Sequence, residues 1–284
     1  MTSPVSVVGA GRTGRALGRL VRRAGIEMGA VFCRSPERAR EAVAFIGGGT
    51  PAAGRPPGRL SGIVLICVPD GAIADVASGL DVAPGSVVAH VAGALGSEAV
   101  AGARGCEPGS LHPLKSFADP EKAAESFAGT ACAVEGSPRA AEVLVGLVGK
   151  IGGTPLRVAP GGKPLYHAGA VFASNYLVAL LHAAEGLFEK AGIPLEEGRP
   201  ALARLAGGAL DNVKAFGPEA ALTGPVERGD DLTVQRHLKA LLQSRPDLAA
   251  PYAALARVTL ELARSGGRLG RDAAERVAAA LGTT

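Results

Sequence analysis

The sequence predicts an α/β protein: a doubly wound parallel sheet first, then an all-helical part. Three observations carry this reading. Short runs rich in β-branched residues alternate with helical stretches through the first half of the chain. One run, from Gly62 through Ile63-Val-Leu-Ile-Cys-Val68 to Pro69, is apolar almost throughout, as suits a central strand covered on both faces. From Pro164 onward the β-branched runs stop and helical patterns take over.

Taken in order, residues 5–9 read as a strand and Thr13 to Ala24 as a helix, with Ala16, Leu17, Leu20 and Val21 along one face. Met28 to Cys33 reads as a second strand. Ser35-Pro36 then opens a helix, a capping hydroxyl before proline at the first helical position. A Gly/Pro-rich stretch over residues 47–60 reads as a loop before the apolar strand. Asp70 to Leu80 reads as a helix, Ser86 to Val91 as a strand, and Ser110-Leu-His-Pro113 as the end of another. The stretch from Pro164 to Ala191 reads as one long helix, apolar on nearly every face and therefore buried between domains or subunits. Helices are expected at about 195–215, 231–243, 247–265 and 270–281. The predicted domains are residues 1–160, a dinucleotide-binding sheet domain, and 161–284, a helical substrate and dimerisation domain.

Composition narrows the class. The chain has 284 residues, 47% hydrophobic and 20% charged, which is globular and excludes a disordered protein. A net charge of +4 without basic runs or interleaved aromatics fits an anionic small molecule rather than nucleic acid. The four cysteines stand singly, with no C-x-x-C pair, so neither a metal site nor a disulfide framework is expected. The apolar Val5–Val8 run turns at once into glycines, unlike a signal peptide. No apolar stretch is read as long enough to span a bilayer, so a soluble cytoplasmic protein is expected.

Gly9-Ala-Gly11-Arg12-Thr13-Gly14 is a G-x-G-x-x-G pattern that follows a strand and opens a helix. Gly9 permits the tight turn, Gly11 lets backbone approach a pyrophosphate, and Gly14 allows close helix–strand packing; the phosphates rest on N–H groups at the helix N-terminus. This is the Rossmann fingerprint, with Arg12 placed to reach the phosphates. An NAD site usually carries an acid about 20 residues further on for the ribose 2′-hydroxyl. Here the strand ends in Cys33-Arg34-Ser35, a guanidinium and a hydroxyl suited to a 2′-phosphate, so NADP is the expected cofactor. The competing reading leaves Arg34 as a solvated strand end.

Ligands of open α/β sheets bind beyond the carboxyl ends of the strands. Three such ends stand out: Val68-Pro69-Asp70-Gly71, His90-Val-Ala-Gly93, and Leu111-His112-Pro-Leu-Lys115. His112 is the candidate acid/base, with Lys115 beside it as a cation for a substrate carboxylate; a hydrogen-bonded structural histidine is the equal alternative. Asp70 is read as capping its helix rather than as catalytic, and His90 as a satisfied core residue. In the long helix, His167 and Ser174 are seven apart and so share a face, with Asn175 adjacent; either a substrate or internal hydrogen bonds satisfy them. Thr223, Arg228 and Asp230 lie in a loop read mainly as a turn and helix cap, the alternative being a substrate-side arginine at Arg228.

In order, GAGRTGRALG, VPDGAI, HVAGALG, LHPLKSF, YHAGAVFASNYL and LTGPVERGD resemble a bacterial family of unknown function. It pairs a Rossmann-like NADP-oxidoreductase domain with a helical C-terminal domain. It is similar in turn to the 6-phosphogluconate and β-hydroxyacid dehydrogenases, pyrroline-5-carboxylate reductase and prephenate dehydrogenase. The resemblance implies hydride transfer to or from a small anionic oxo, hydroxy or imino acid held between the domains, as in ketopantoate reductase, and a homodimer with interlocked helical domains. The His-Pro motif of prephenate dehydrogenases adds weight to His112. One feature departs: relatives place a catalytic lysine four residues before the asparagine, and here that position is Val171. His167, eight residues before Asn175, is roughly 12 Å away along the helix axis and is no substitute. That departure keeps a second class open, a non-catalytic dinucleotide-binding sensor or scaffold. A deazaflavin-linked reductase is a third, with no specific support.

Overall fold

The computed structural model describes residues 3–54 and 58–282. The reading of residues 55–57 as loop lies outside them. The first elements are β1 (Val5–Val8), α1 (Arg12–Arg23), β2 (Met28–Cys33), α2 (Pro36–Ile46), β3 (Thr50–Ala53) and β4 (Ile63–Ile66). After β4 a 3-10 turn, Asp70–Ala72, leads into α3 (Ile73–Ser78). Next come β5 (Val87–His90), β6 (Glu107–Pro113), α4 (Pro120–Glu125), β7 (Ala131–Gly136), α5 (Pro138–Lys150) and β8 (Thr154–Arg157). They form an 8-stranded sheet of order β3-β2-β1-β4-β5-β6-β7-β8. Every neighbouring pair is parallel except β6 and β7, which run antiparallel with His112 opposite Ala133. The order reverses between β1 and β4, and that switch point opens a crevice at the strand ends.

Alternation decides which face each side chain serves. Along β4, Ile63 and Leu65 enter one hydrophobic cluster with Leu17, Val21 and Leu144. Val64 and Ile66 enter the opposite cluster, with Ile73, Val88 and Val100. All four β4 residues are buried, so the continuous apolar run does mark a strand covered on both faces. Three strands escape the sequence reading. β3 and β8 are the two edges of the sheet, and each carries a proline, Pro51 and Pro155, which lacks the ladder N–H and depresses the strand signal. β7 has Ala, Cys and Gly among its six residues, which weakens its strand signal.

The chain divides into two compact units, Met1–Ala173 and Ser174–Thr284, rather than at the expected 160/161. The reason is local: α6 (Lys163–Val171) makes its contacts with the sheet domain through Lys163 and Tyr166, and so stays with it. A π-helical turn, Phe172–Tyr176, separates α6 from α7 (Leu177–Lys190). Such a turn bonds i to i+5 and shifts the phase of the residues beyond it.

The second unit continues with α8 (Leu195–Phe216), α9 (Pro218–Ala221), α10 (Asp231–Ser244), α11 (Ala249–Ser265) and α12 (Arg271–Ala280), close to the predicted helices. Val226, Val234, Leu260 and Val277 form its core. Asp230 caps α10 as read, accepting from the Thr233 N–H at 3.0 Å and hydroxyl at 2.7 Å.

Within the single chain the long helix is exposed, with Leu165 at 82% and Val178 at 67%. One expectation is corrected: the 28-residue stretch Lys163–Lys190 is long and apolar enough to span a bilayer by length and composition alone, an 18-residue window of it having a mean hydropathy of 1.3.

Candidate functional site

The glycine loop is built as its sequence dictates. Gly9 has φ +91°, and a Cβ there would lie 2.7 Å from Val68 Cγ1 and 2.8 Å from the Cys67 carbonyl oxygen. A Cβ on Gly14 would lie 2.6 Å from the Gly9 carbonyl oxygen. Gly11 is different: a Cβ there meets nothing within 4 Å, so its bareness faces open space rather than packing. Gly11 is also the N-cap of α1, and no side chain caps that helix. The amides of Arg12, Thr13 and Gly14 therefore lack intrahelical acceptors and point their partial positive charge outward. An open approach at Gly11 and an uncapped first turn fit a pyrophosphate.

These amides open onto a cleft of about 610 Å³ at the carboxyl ends of the strands. Gly11, Arg12 and Thr13 line one side, Val68, Pro69 and Asp70 the second, and His112 and Lys115 the third. Arg34 lies exposed just past β2. Ser35 caps α2, its hydroxyl oxygen accepting from the Arg38 N–H at 3.4 Å. Asp70 is corrected: Pro69 is the cap residue of its turn and the Asp70 side chain makes no capping bond, so the carboxylate stands exposed at the cleft. Cys67 also lines the cleft, but burial pushes its thiol up to about 12 and keeps it protonated.

His112 is held at the end of β6. Its Nδ1 is 2.9 Å from the Tyr166 hydroxyl, and the rings of Tyr166 and His167 both meet it edge-on at 5.8 Å. Burial first, then the Lys163 charge and two other histidines, lower its pKa to about 4, so the imidazole is neutral at pH 7. Gly93 lies between the rings: a Cβ there would collide with His167 Nδ1 and lie 3.1 Å from His112 Nε2. Its role is thus space for two imidazoles. His167 Nδ1 is buried with no hydrogen-bond partner among the described residues, an orphan pointing at the same place.

The loop carrying Gly93 is fixed at both ends. His90, fully buried as expected of a core residue, accepts from the Ala92 N–H through Nδ1 and donates from Nε2 to the Gly96 carbonyl at 2.9 Å. The buried Glu135 carboxylate accepts from the Ser97 N–H at 2.7 Å and hydroxyl at 2.9 Å. Lys163 Nζ donates to the Ala92 carbonyl at 3.1 Å.

Lys163 is the group that sequence reading missed, while Tyr166 opens the polar stretch of the long helix without a role having been read for it. Lys163 is 0% exposed, and burial lowers its pKa to about 8, against the raising pull of Glu135 and Asp70. One signal was available: a lysine at the first position of a helix opposes the macrodipole, with proline following it. Of the other predicted groups, Lys115 lines the cleft and donates to the Ser126 carbonyl at 2.8 Å. Ser174 and Asn175 belong to the second unit, exposed on the π-helical turn.

Residues 2–113 match the model of a Rossmann-like domain, and residues 130–259 match that of a domain of unknown function, DUF2520. Protein TM1727 from Thermotoga maritima is 28% identical, with a TM-score of 0.78, over 93% of this chain and 100% of its own. BF3122 from Bacteroides fragilis, named as a candidate NADP oxidoreductase, is 21% identical with a TM-score of 0.69, over 91% of this chain and 98% of its own. A reductive aminase from Aspergillus terreus, solved with NADPH and ethyl levulinate, is 17% identical with a TM-score of 0.63, over 98% of this chain and 99% of its own. A sequence comparison with curated proteins gives no match. The chain thus carries, in order, a Rossmann-like domain and the domain of unknown function DUF2520.

Proposed function

We propose that the protein is an NADP(H)-dependent oxidoreductase acting on a small anionic oxo, hydroxy or imino acid. The observation that carries this is the uncapped α1 N-terminus with bare Gly11, opening onto the same cleft as His112. The Aspergillus terreus enzyme of the same fold, solved with NADPH, supports the cofactor class.

NADP, when bound, supplies or accepts the hydride. Gly9, Gly11, Arg12, Thr13 and Gly14 hold its pyrophosphate, and Arg34 with Ser35 holds the 2′-phosphate. Val68, Pro69 and Asp70 wall the cleft, and Gly93 leaves room for His112 and His167 beside it. His112 handles the proton. With Nδ1–H donating to the Tyr166 oxygen, Nε2 offers a lone pair to a substrate hydroxyl or amine; the imidazolium so formed returns the proton in the reverse direction. Lys115 offers a cation to the substrate carboxylate, and His167 a free ring nitrogen.

Screening small oxo and imino acids for substrate-dependent NADPH oxidation tests the reading. Turnover lost in His112→Gln supports it. Tight NADPH binding with no turnover on any substrate leaves the dinucleotide sensor.

We also infer a homodimer. Val178, Leu205 and Phe216 of the helical unit are 67%, 70% and 68% exposed, more large apolar surface than a monomer normally presents. A second copy covering it yields twice the chain mass by light scattering, and the double change Val178→Lys, Leu205→Lys lowers that mass toward the monomer.

A further inference from the structure

A fully buried lysine with no carboxylate at ion-pair distance among the described residues calls for an explanation, since an uncompensated ammonium is costly to desolvate. The recorded hydrogen bond of Lys163 Nζ goes to the Ala92 carbonyl, one residue before Gly93, and the ammonium lies 5.4 Å from the centre of the Tyr166 ring. Ala92 is fixed on its other side by His90. Lys163 therefore touches both things that set the state of His112: the loop against which its Nε2 packs, and the tyrosine bonded to its Nδ1.

We propose that Lys163 is the positioning residue of His112: seated on the Ala92 carbonyl, it holds His112 in its neutral form with Nε2 turned to the cleft. This rests on the reading that His112 handles the proton. Lys163 does not reach the substrate, since no part of it is exposed. It acts through charge and through the loop. The groups facing His112 are Tyr166, His167 and Lys163 of α6 and His90 of β5. Those facing Lys163 are Glu135 of β7, Asp70 of the turn after β4, and Tyr166. The direction of both shifts agrees: the lysine charge disfavours imidazolium at His112, and burial holds the lysine itself near 8.

The test is an NMR titration of the His112 ring nitrogens in the full-length protein, assigned by their loss in His112→Gln. In the unaltered protein the His112 signals should report a neutral ring at pH 7. They should also show a further inflection near 8, as Lys163 releases its proton. Lys163→Met should raise the His112 midpoint by on the order of one pH unit, and Lys163→Arg, which keeps the charge, should hold it low. An unchanged midpoint in Lys163→Met overturns the proposal. If that variant does not fold, the unaltered protein decides alone: His112 signals that show no second inflection anywhere above neutral pH, as Lys163 gives up its proton, overturn it equally. The two readings fail separately. A shifted midpoint with full turnover in His112→Gln removes the catalytic role of His112 but keeps the coupling; lost turnover with an unshifted midpoint does the reverse.

Discussion

Replacing Gly11 by alanine separates folding from cofactor binding at a single atom. The new Cβ meets no protein atom within 4 Å, and Gly11 has φ −72°, outside the left-handed region that demands glycine. Alanine is a poorer N-cap than glycine by some tenths of a kcal/mol, about offset by the smaller entropy it loses on folding. Thermal unfolding should therefore shift by no more than about 2 °C. Binding should not escape. The methyl occupies the space through which a pyrophosphate approaches the first-turn amides, and losing one charge-assisted hydrogen bond removes about 1.5–3 kcal/mol. Calorimetry should then show NADPH bound roughly 10–100-fold more weakly. The control is Gly9→Ala, where φ +91° and close contacts with Val68 and Cys67 make the change structural. It should cost about 2–5 kcal/mol of stability from left-handed strain plus overpacking. A folded Gly11→Ala that binds NADPH within about twofold of the original would refute the assignment of the loop to a pyrophosphate.

Arg34→Glu should weaken NADPH at least about tenfold by calorimetry and leave NADH unchanged; equal loss of both places Arg34 outside the 2′-phosphate site. Gly93→Ala should abolish turnover while leaving NADPH affinity within about twofold, because its Cβ displaces His167 and His112 rather than the glycine loop. Acid should destabilise the fold through His112. Its folded pKa, about 4, lies below the unfolded value of 6.5, so the unfolded chain takes the proton first and stability falls as pH drops between those values. The loss is on the order of 2 kcal/mol after solvent screening at this half-buried ring. Urea midpoints for His112→Gln should vary less over that range than those of the unaltered chain. A slope that His112→Gln leaves intact assigns the acid sensitivity to other groups.

Local rules act over three or four residues, and what they govern was legible in the sequence. The G-x-G-x-x-G loop, the Ser35-Pro36 helix start and the Asp230 cap each depend on a residue and its near neighbours, and each forms as written. The two-sided burial of β4 follows from its composition alone. The edge strands β3 and β8 were hidden because Pro51 and Pro155 are tolerated only where a sheet ends, which is a property of strand order. The long helix is a second case: its apolar faces announce burial, whereas Leu165 and Val178 stand exposed in the single chain. The site depended most on tertiary structure. His112 and Tyr166 stand 54 positions apart, and Lys163 lies 71 positions from the Ala92 carbonyl it holds. Nothing local relates these residues. They meet because β5 and β6 are adjacent in the sheet and α6 packs its first turn against their ends, so strand order alone turned an isolated lysine and a lone histidine into neighbours.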